Sequence, residues 1–161
     1  MFDIKGFTDA MALNQVFQNL VHQRVAVLGP PCAGKSTILR HIPEAKDMDM
    51  ILFPQLSPAE KQIVFKKPWS PPVGEEMTRL ARLRIVVLPG YPVFATVVIE
   101  VDFIVYLKIH DELLLKRVMV RQDRRQSFQD VKSIQLQLEA DIQRSGIPSI
   151  EYVLAEENHG R

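Results

Sequence analysis

Arg24-Val25-Ala26-Val27-Leu28-Gly29-Pro30-Pro31-Cys32-Ala33-Gly34-Lys35-Ser36-Thr37-Ile38-Leu39-Arg40 reads as a short strand, a loop and the opening of a helix. The apolar β-branched run ends at Gly29, and the residues after Gly34 favour a helix. Between them, Gly29 to Ser36 satisfies G-x-x-x-x-G-K-[ST], the pattern of a phosphate-binding loop. Backbone N–H groups of such a turn point inward, and its glycines allow a close approach that a Cβ blocks. Lys35 is spaced to reach β- and γ-phosphates, and the Ser36 hydroxyl to ligate Mg²⁺. The helix N-terminus adds partial positive charge. Pro30, Cys32, Ala33 and Thr37 complete the expected cradle.

Working outward, the 161 residues suggest one domain, 1–161, long enough for a substantial core. A 47% hydrophobic and 24% charged composition excludes an intrinsically disordered chain. The net charge of +1 announces no polyanionic partner, so any basic surface must be local. No apolar run approaches the roughly 20 residues of a membrane span, and a basic-then-apolar leader is missing at the start. The expectation is therefore a cytoplasmic protein with no membrane partner. The single cysteine, Cys32, lies in the phosphate loop, which excludes an internal disulfide. None of His22, His41, His110 and His159 shows metal-ligand spacing.

Residues 1–21 contain an N-terminal helix, read over 8–21, with Thr8 or Asp9 as cap and Leu13, Val16, Phe17 and Leu20 on one face. The helix after the phosphate loop runs to about His41 and stops near Pro43. Alternation in Asp47-Met48-Asp49-Met50-Ile51 fits the end of a second strand. Residues 54–74, broken by Pro54, Pro58, Pro68, Pro71 and Pro72, read as an ordered excursion over the site. A helix over 74–82 leads to Ile85-Val86-Val87-Leu88, read as a buried strand. Residues 92–101 read as a short helix or irregular link, because parallel neighbours need a crossover. A strand at 103–107, helices at 111–122 and 128–145, and a strand at 150–154 complete the chain. Ser127 with Asp130 has capping-box spacing, and Gly146 ends the last helix. Strands alternating with helices predict an α/β fold, a parallel sheet with helices on both faces.

A phosphate loop alone serves switches, motors and kinases alike, so the downstream residues discriminate. A small GTPase needs D-x-x-G after the loop and N-K-x-D for guanine. Asp3-Ile4-Lys5-Gly6 precedes the loop, and N-K-x-D is missing. No apolar strand ends in the Asp-Glu pair of a larger ATPase. Arg117, Arg121 and Arg125 recur every four residues, with Arg124 beside them, facing one side of a helix that approaches a break. Such cations can meet the charge on a transferring phosphoryl group; the alternative is a solvated helix face. Asp47 and Asp49, two apart on an extended segment, share one side at a strand's carboxyl end. One carboxylate, preferentially Asp49, can take the proton of an attacking hydroxyl while the other orients the acceptor; the alternative is a turn-forming pair. Phe65, Trp69 and Tyr91 are candidates to stack on a base, or to pack in the core. Arg79, with Lys66, Lys67 and Arg82, is a candidate for an acceptor phosphate, a nucleic-acid backbone or plain solvent.

Gly29–Ser36, Asp47-Met48-Asp49 and Arg117–Arg125 together resemble the compact P-loop kinases that phosphorylate nucleosides, nucleoside monophosphates, shikimate or gluconate. The resemblance covers most of residues 24–154. It implies a five-stranded parallel sheet, ATP with Mg²⁺, and a lid at 117–127 that closes over the site. It also implies catalytic roles for Lys35, Asp47, Asp49, Arg121 and Arg125. Nucleotide contacts would come from Gly29, Pro30, Cys32, Ala33, Gly34, Lys35, Ser36, Thr37, Arg117 and Arg121, and acceptor contacts from Asp47 and Asp49, to which the reading of the residues themselves adds Trp69, Arg79 and Tyr91. The chain departs from the family in its short lid, its proline-rich 54–74 segment and the lack of an acidic strand end to hold metal beside Ser36. Length and compactness also resemble phage-encoded P-loop kinases, one branch of which phosphorylates 5-hydroxymethyluracil bases in DNA. For that branch, DNA is the acceptor and the host cytoplasm the compartment. A nucleotide-gated binding module without catalysis is the competing reading.

Overall fold

A computed structural model describes residues 6–66, 70–121 and 127–155. Its elements, in chain order, are α1 Phe7–Gln18, β1 Val25–Leu28, α2 Lys35–Leu39, β2 Lys46–Asp47, α3 Met48–Leu52, α4 Pro58–Val64 and α5 Pro71–Arg84. Then follow β3 Val93–Ala95, β4 Phe103–Lys108, α6 Asp111–Arg121, α7 Phe128–Ser145 and β5 Ser149–Val153. The five strands form one sheet in the order β2-β3-β1-β4-β5, every pair parallel. Side chains at β1 and β3 are buried throughout, as a parallel sheet covered on both faces requires. One face packs Leu28, Ala95, Ile104 and Tyr106 against Leu52, Leu80 and Leu138 of α3, α5 and α7. The other packs Val27, Phe94, Val105 and Leu107 against Leu13, Ile38 and Leu114 of α1, α2 and α6.

Several expectations are met closely. The strand at 103–107 is β4, the last strand is β5, and α7 spans 128–145. Its Ser127–Asp130 capping box is present, and Gly146 closes it at φ 69°. Helix α1 is shorter than expected and begins not at a Thr8 or Asp9 cap but after Gly6, at φ 75°. A Cβ on Gly6 would sit 2.9 Å from the Thr37 backbone, so the residue type allows α1 to dock on α2. Asp9 is buried instead, accepting hydrogen bonds from the Tyr152 hydroxyl (2.7 Å) and the Ala155 N–H (3.0 Å). Likewise α2 is brief, ending at Leu39.

Two strand assignments are overturned. Residues 85–88 are not a sheet strand: Ile85 and Val87 are buried, Val86 and Leu88 exposed, and a bridge from Leu88 to Tyr91 closes a turn. Residues 93–95, expected in a link, form β3 and pair with both β1 and β2. The reason lies in the wrapping of the chain. After α5 it must return to the amino-terminal end of the sheet, and 85–92 provides the return and the turn, with Gly90 at φ 84°. The second strand is also cut short. It ends at Asp47, whose extended backbone and side chain cap α3 by accepting from the Asp49 N–H at 3.2 Å. The alternation read over 47–51 is replaced by helical spacing, with Met48 and Leu52 buried four residues apart.

The 54–74 excursion resolves into a helical turn at Phe53–Gln55, then α4, then the start of α5. Ser57 and Glu60 form a capping box on α4. Glu60 also accepts both terminal nitrogens of Arg84, at 2.7 and 2.6 Å, clamping α4 to the end of α5. Among the described residues no helix is long and apolar enough to cross a membrane.

Candidate functional site

Parallel strands set the site, because loops leaving their carboxyl ends gather at one edge of the sheet. Gly29–Ser36 leaves β1 there, between the loops that follow β3 and β4. The loop turns through positive φ at two residues, Cys32 at 67° and Gly34 at 91°. Positive φ at a non-glycine residue is uncommon and costs energy. The Lys35 ammonium turns back over the loop, donating to the carbonyls of Gly29 (2.8 Å) and Pro30 (2.6 Å). Arg117, reaching from α6, donates to the Ala33 carbonyl at 2.5 Å. A Cβ built on Gly34 would lie 2.9 Å from the Arg117 guanidinium. Two cations therefore meet the loop, one from its own helix and one from α6. The described loop residues fit a polyphosphate: a cradle that a Cβ would obstruct, rimmed by positive charge. Ser36 is exposed at the start of α2. Among the described residues there is no group of three or more acidic, histidine or cysteine side chains suited to a metal ion. Ser36 is thus the loop's candidate metal ligand. The strand beside β1 ends in Ala95-Thr96, a hydroxyl rather than a carboxylate.

Asp49 stands in the first turn of α3, just beyond the end of β2. Burial, and then the Asp47 charge, raise its carboxyl above the ordinary value of 3.8, while the Lys35 charge pulls the other way. Asp47 and Asp49 therefore do not lie side by side along a strand. Asp47 is committed to capping α3, and Asp49 is the carboxylate under the influence of Lys35.

A cleft of about 600 Å³ adjoins the loop at Pro31, between α5 and α7. Val97, Val98, Met77 and Leu138 give it apolar lining, and Thr78, Arg82, Thr96, Gln137 and Arg144 supply polar groups. Its size lies in the small-molecule range. Arg144 is paired with Asp141 on its own helix.

The remaining expected residues divide sharply. Tyr91 is corrected: it precedes β3 and sits at the opposite end of the strands from Gly29–Ser36, beneath the Lys46 ammonium at 6.0 Å. Its position followed from the misassigned strand at 85–88. Arg79 projects outward from α5 and is held by Glu76, its Nε donating at 2.8 Å. Phe65 packs edge-on against Phe53 with ring centres 5.0 Å apart. Trp69 lies outside the described residues, as do residues 122–126 of the expected lid, Arg124 and Arg125 among them, and the Arg121 side chain; the Arg121 backbone ends α6. Thr96 and Gln137 were not anticipated. Reading 93–95 as a strand would have put Thr96 at a carboxyl end; Gln137 carries no signal in sequence. Compared with known proteins, the chain matches no family model, and no curated protein matches it.

Proposed function

We propose that the chain is a P-loop phosphotransferase that moves the γ-phosphoryl group of ATP to a hydroxyl of a nucleoside-type acceptor. The observation that carries this reading is the meeting of Lys35 and Arg117 on one loop at the carboxyl end of β1, with the half-buried Asp49 carboxyl within electrostatic reach of Lys35. A phosphate switch needs the cradle and its cations but not a partly buried carboxylate beside them. ATP supplies the phosphoryl group, and Ser36 is the residue that would hold its Mg²⁺. Lys35 and Arg117 exchange their loop carbonyls for phosphate oxygens and meet the charge developing there. Asp49 accepts the hydroxyl proton as the new oxygen–phosphorus bond forms and the bond to ADP breaks. The α5–α7 cleft takes the acceptor, its apolar lining against the ring and Arg82, Thr96 and Gln137 against its polar groups.

The test is γ-labelled ATP with free nucleosides, nucleotides, and DNA with or without hydroxymethylated bases. Label should pass to an acceptor, and Lys35→Ala should slow transfer by about 10²-fold or more, the scale of one preorganised charge donor. Label in DNA alone identifies a DNA-modifying kinase; label in a small acceptor alone identifies a metabolite kinase. Transfer no faster to any hydroxyl than to water sinks the proposal.

A further inference from the structure

A second cavity, of about 370 Å³, opens at the other end of the sheet, where β1 begins at Val25 and the chain turns through Gly90 toward β3. Phe17 of α1, Ile42 and Pro92 provide apolar walls. Around them stand three carboxamides, Asn14, Gln18 and Gln23, and one carboxylate, Glu44. Among the described residues none of these four side chains makes a hydrogen bond or an ion pair. Each carboxamide offers a donor and an acceptor in one plane, and the carboxylate offers acceptors alone. Neither lysine nor arginine lines the cavity, so a phosphate would meet no cation and would face Glu44.

We propose that this cavity binds a phosphate-free purine or pyrimidine bearing an exocyclic amino group. Three features carry the choice. A cavity of about 370 Å³ with Phe17, Ile42 and Pro92 in its lining has the room and the apolar surface for a small ring. Carboxamides pair in bidentate fashion with the adjacent donor and acceptor of an aminated base, and a carboxylate accepts from the amino group. Charge selects against a phosphorylated form. The site is separate from Gly29–Ser36, with the length of β1 between them. Ile42–Glu44 is also part of the chain that joins the phosphate-loop helix to Asp47, so an occupant braces that connection.

The test uses adenosine, inosine and AMP as probes of the full chain, reading the side-chain amide signals of Asn14, Gln18 and Gln23 by NMR. Adenosine should shift them saturably, in wild type and in Lys35→Ala alike. Inosine, which lacks the amino group, and AMP should bind at least tenfold more weakly. Gln18→Leu and Glu44→Gln are exposed substitutions compatible with folding, and each should weaken adenosine by roughly fivefold to tenfold, the value of one hydrogen bond. Three outcomes overturn the proposal. They are amide signals that do not move, AMP binding as tightly as adenosine, and both variants binding adenosine like wild type.

Discussion

At the scale of single residues, Asp49 is the most informative side chain. Its carboxyl is raised by burial first and by Asp47 second. A raised acid holds its proton more tightly in the folded chain, so folding is favoured below the unfolded value of 3.8 and that advantage is lost as pH rises through the folded value. Asp49→Asn removes the buried charge. Its urea midpoint should exceed that of wild type at neutral pH, and the gap should close in acid below the ordinary carboxylate range. As a proton acceptor, Asp49 must be ionised. The acid limb of kcat/KM should therefore lie above the ordinary carboxylate value, and Asp49→Asn should lose about 10²–10⁴-fold in rate. A limb at the ordinary value, or an active Asn variant, would remove Asp49 from the mechanism. Gly34 is the other decisive residue. Alanine there is strained at φ 91°, and its Cβ would crowd Arg117. Gly34→Ala should cost about 1–2 kcal/mol in urea unfolding and weaken nucleotide binding in titration. Adding Arg117→Ala should relieve the crowding and leave the backbone cost.

At the scale of elements, the contrast between 85–88 and 93–95 tests the sheet. Both stretches are apolar, and the β-branched residues are the denser in Ile85-Val86-Val87-Leu88, so local preference favours the stretch that stays out of the sheet. Burial goes the other way: Val86 is 77% exposed, Phe94 1%. Phe94→Ala should therefore cost about 3–5 kcal/mol, whereas Val86→Lys should change stability by less than about 0.5 kcal/mol, both read by urea denaturation. A large loss at Val86 would restore 85–88 as a core strand. The elements with strong local signals were legible: β4 by its unbroken apolar run, α7 by its capping box and Gly146. The short ones were not. For β2 and α3 the boundary falls inside Asp47-Met48-Asp49, where alternating and helical patterns coincide, and only the capping bond of Asp47 decides between them.

At the scale of the whole molecule, the first helix and the last strand meet through Asp9, buried against Tyr152 and the Ala155 N–H. Asp9→Ala strands a hydroxyl and an amide and should cost about 1–3 kcal/mol, whereas Tyr152→Phe, which leaves the Ala155 bond, should cost about 1 kcal/mol. Equal losses in a thermal or urea comparison would mean that the amide bond contributes nothing. The turn of the loop after β1, the α/β class and the long helices were determined by sequence alone, because each rests on contacts a few residues apart: a glycine that permits positive φ, a cap three residues from its partner, an apolar period. Tertiary structure alone decided which apolar run became the strand beside β1, which aspartate stayed available, and that Tyr91 lies at the far end from the loop. Those outcomes depend on residues distant in sequence competing for one buried sheet, and such competition leaves no local pattern to read.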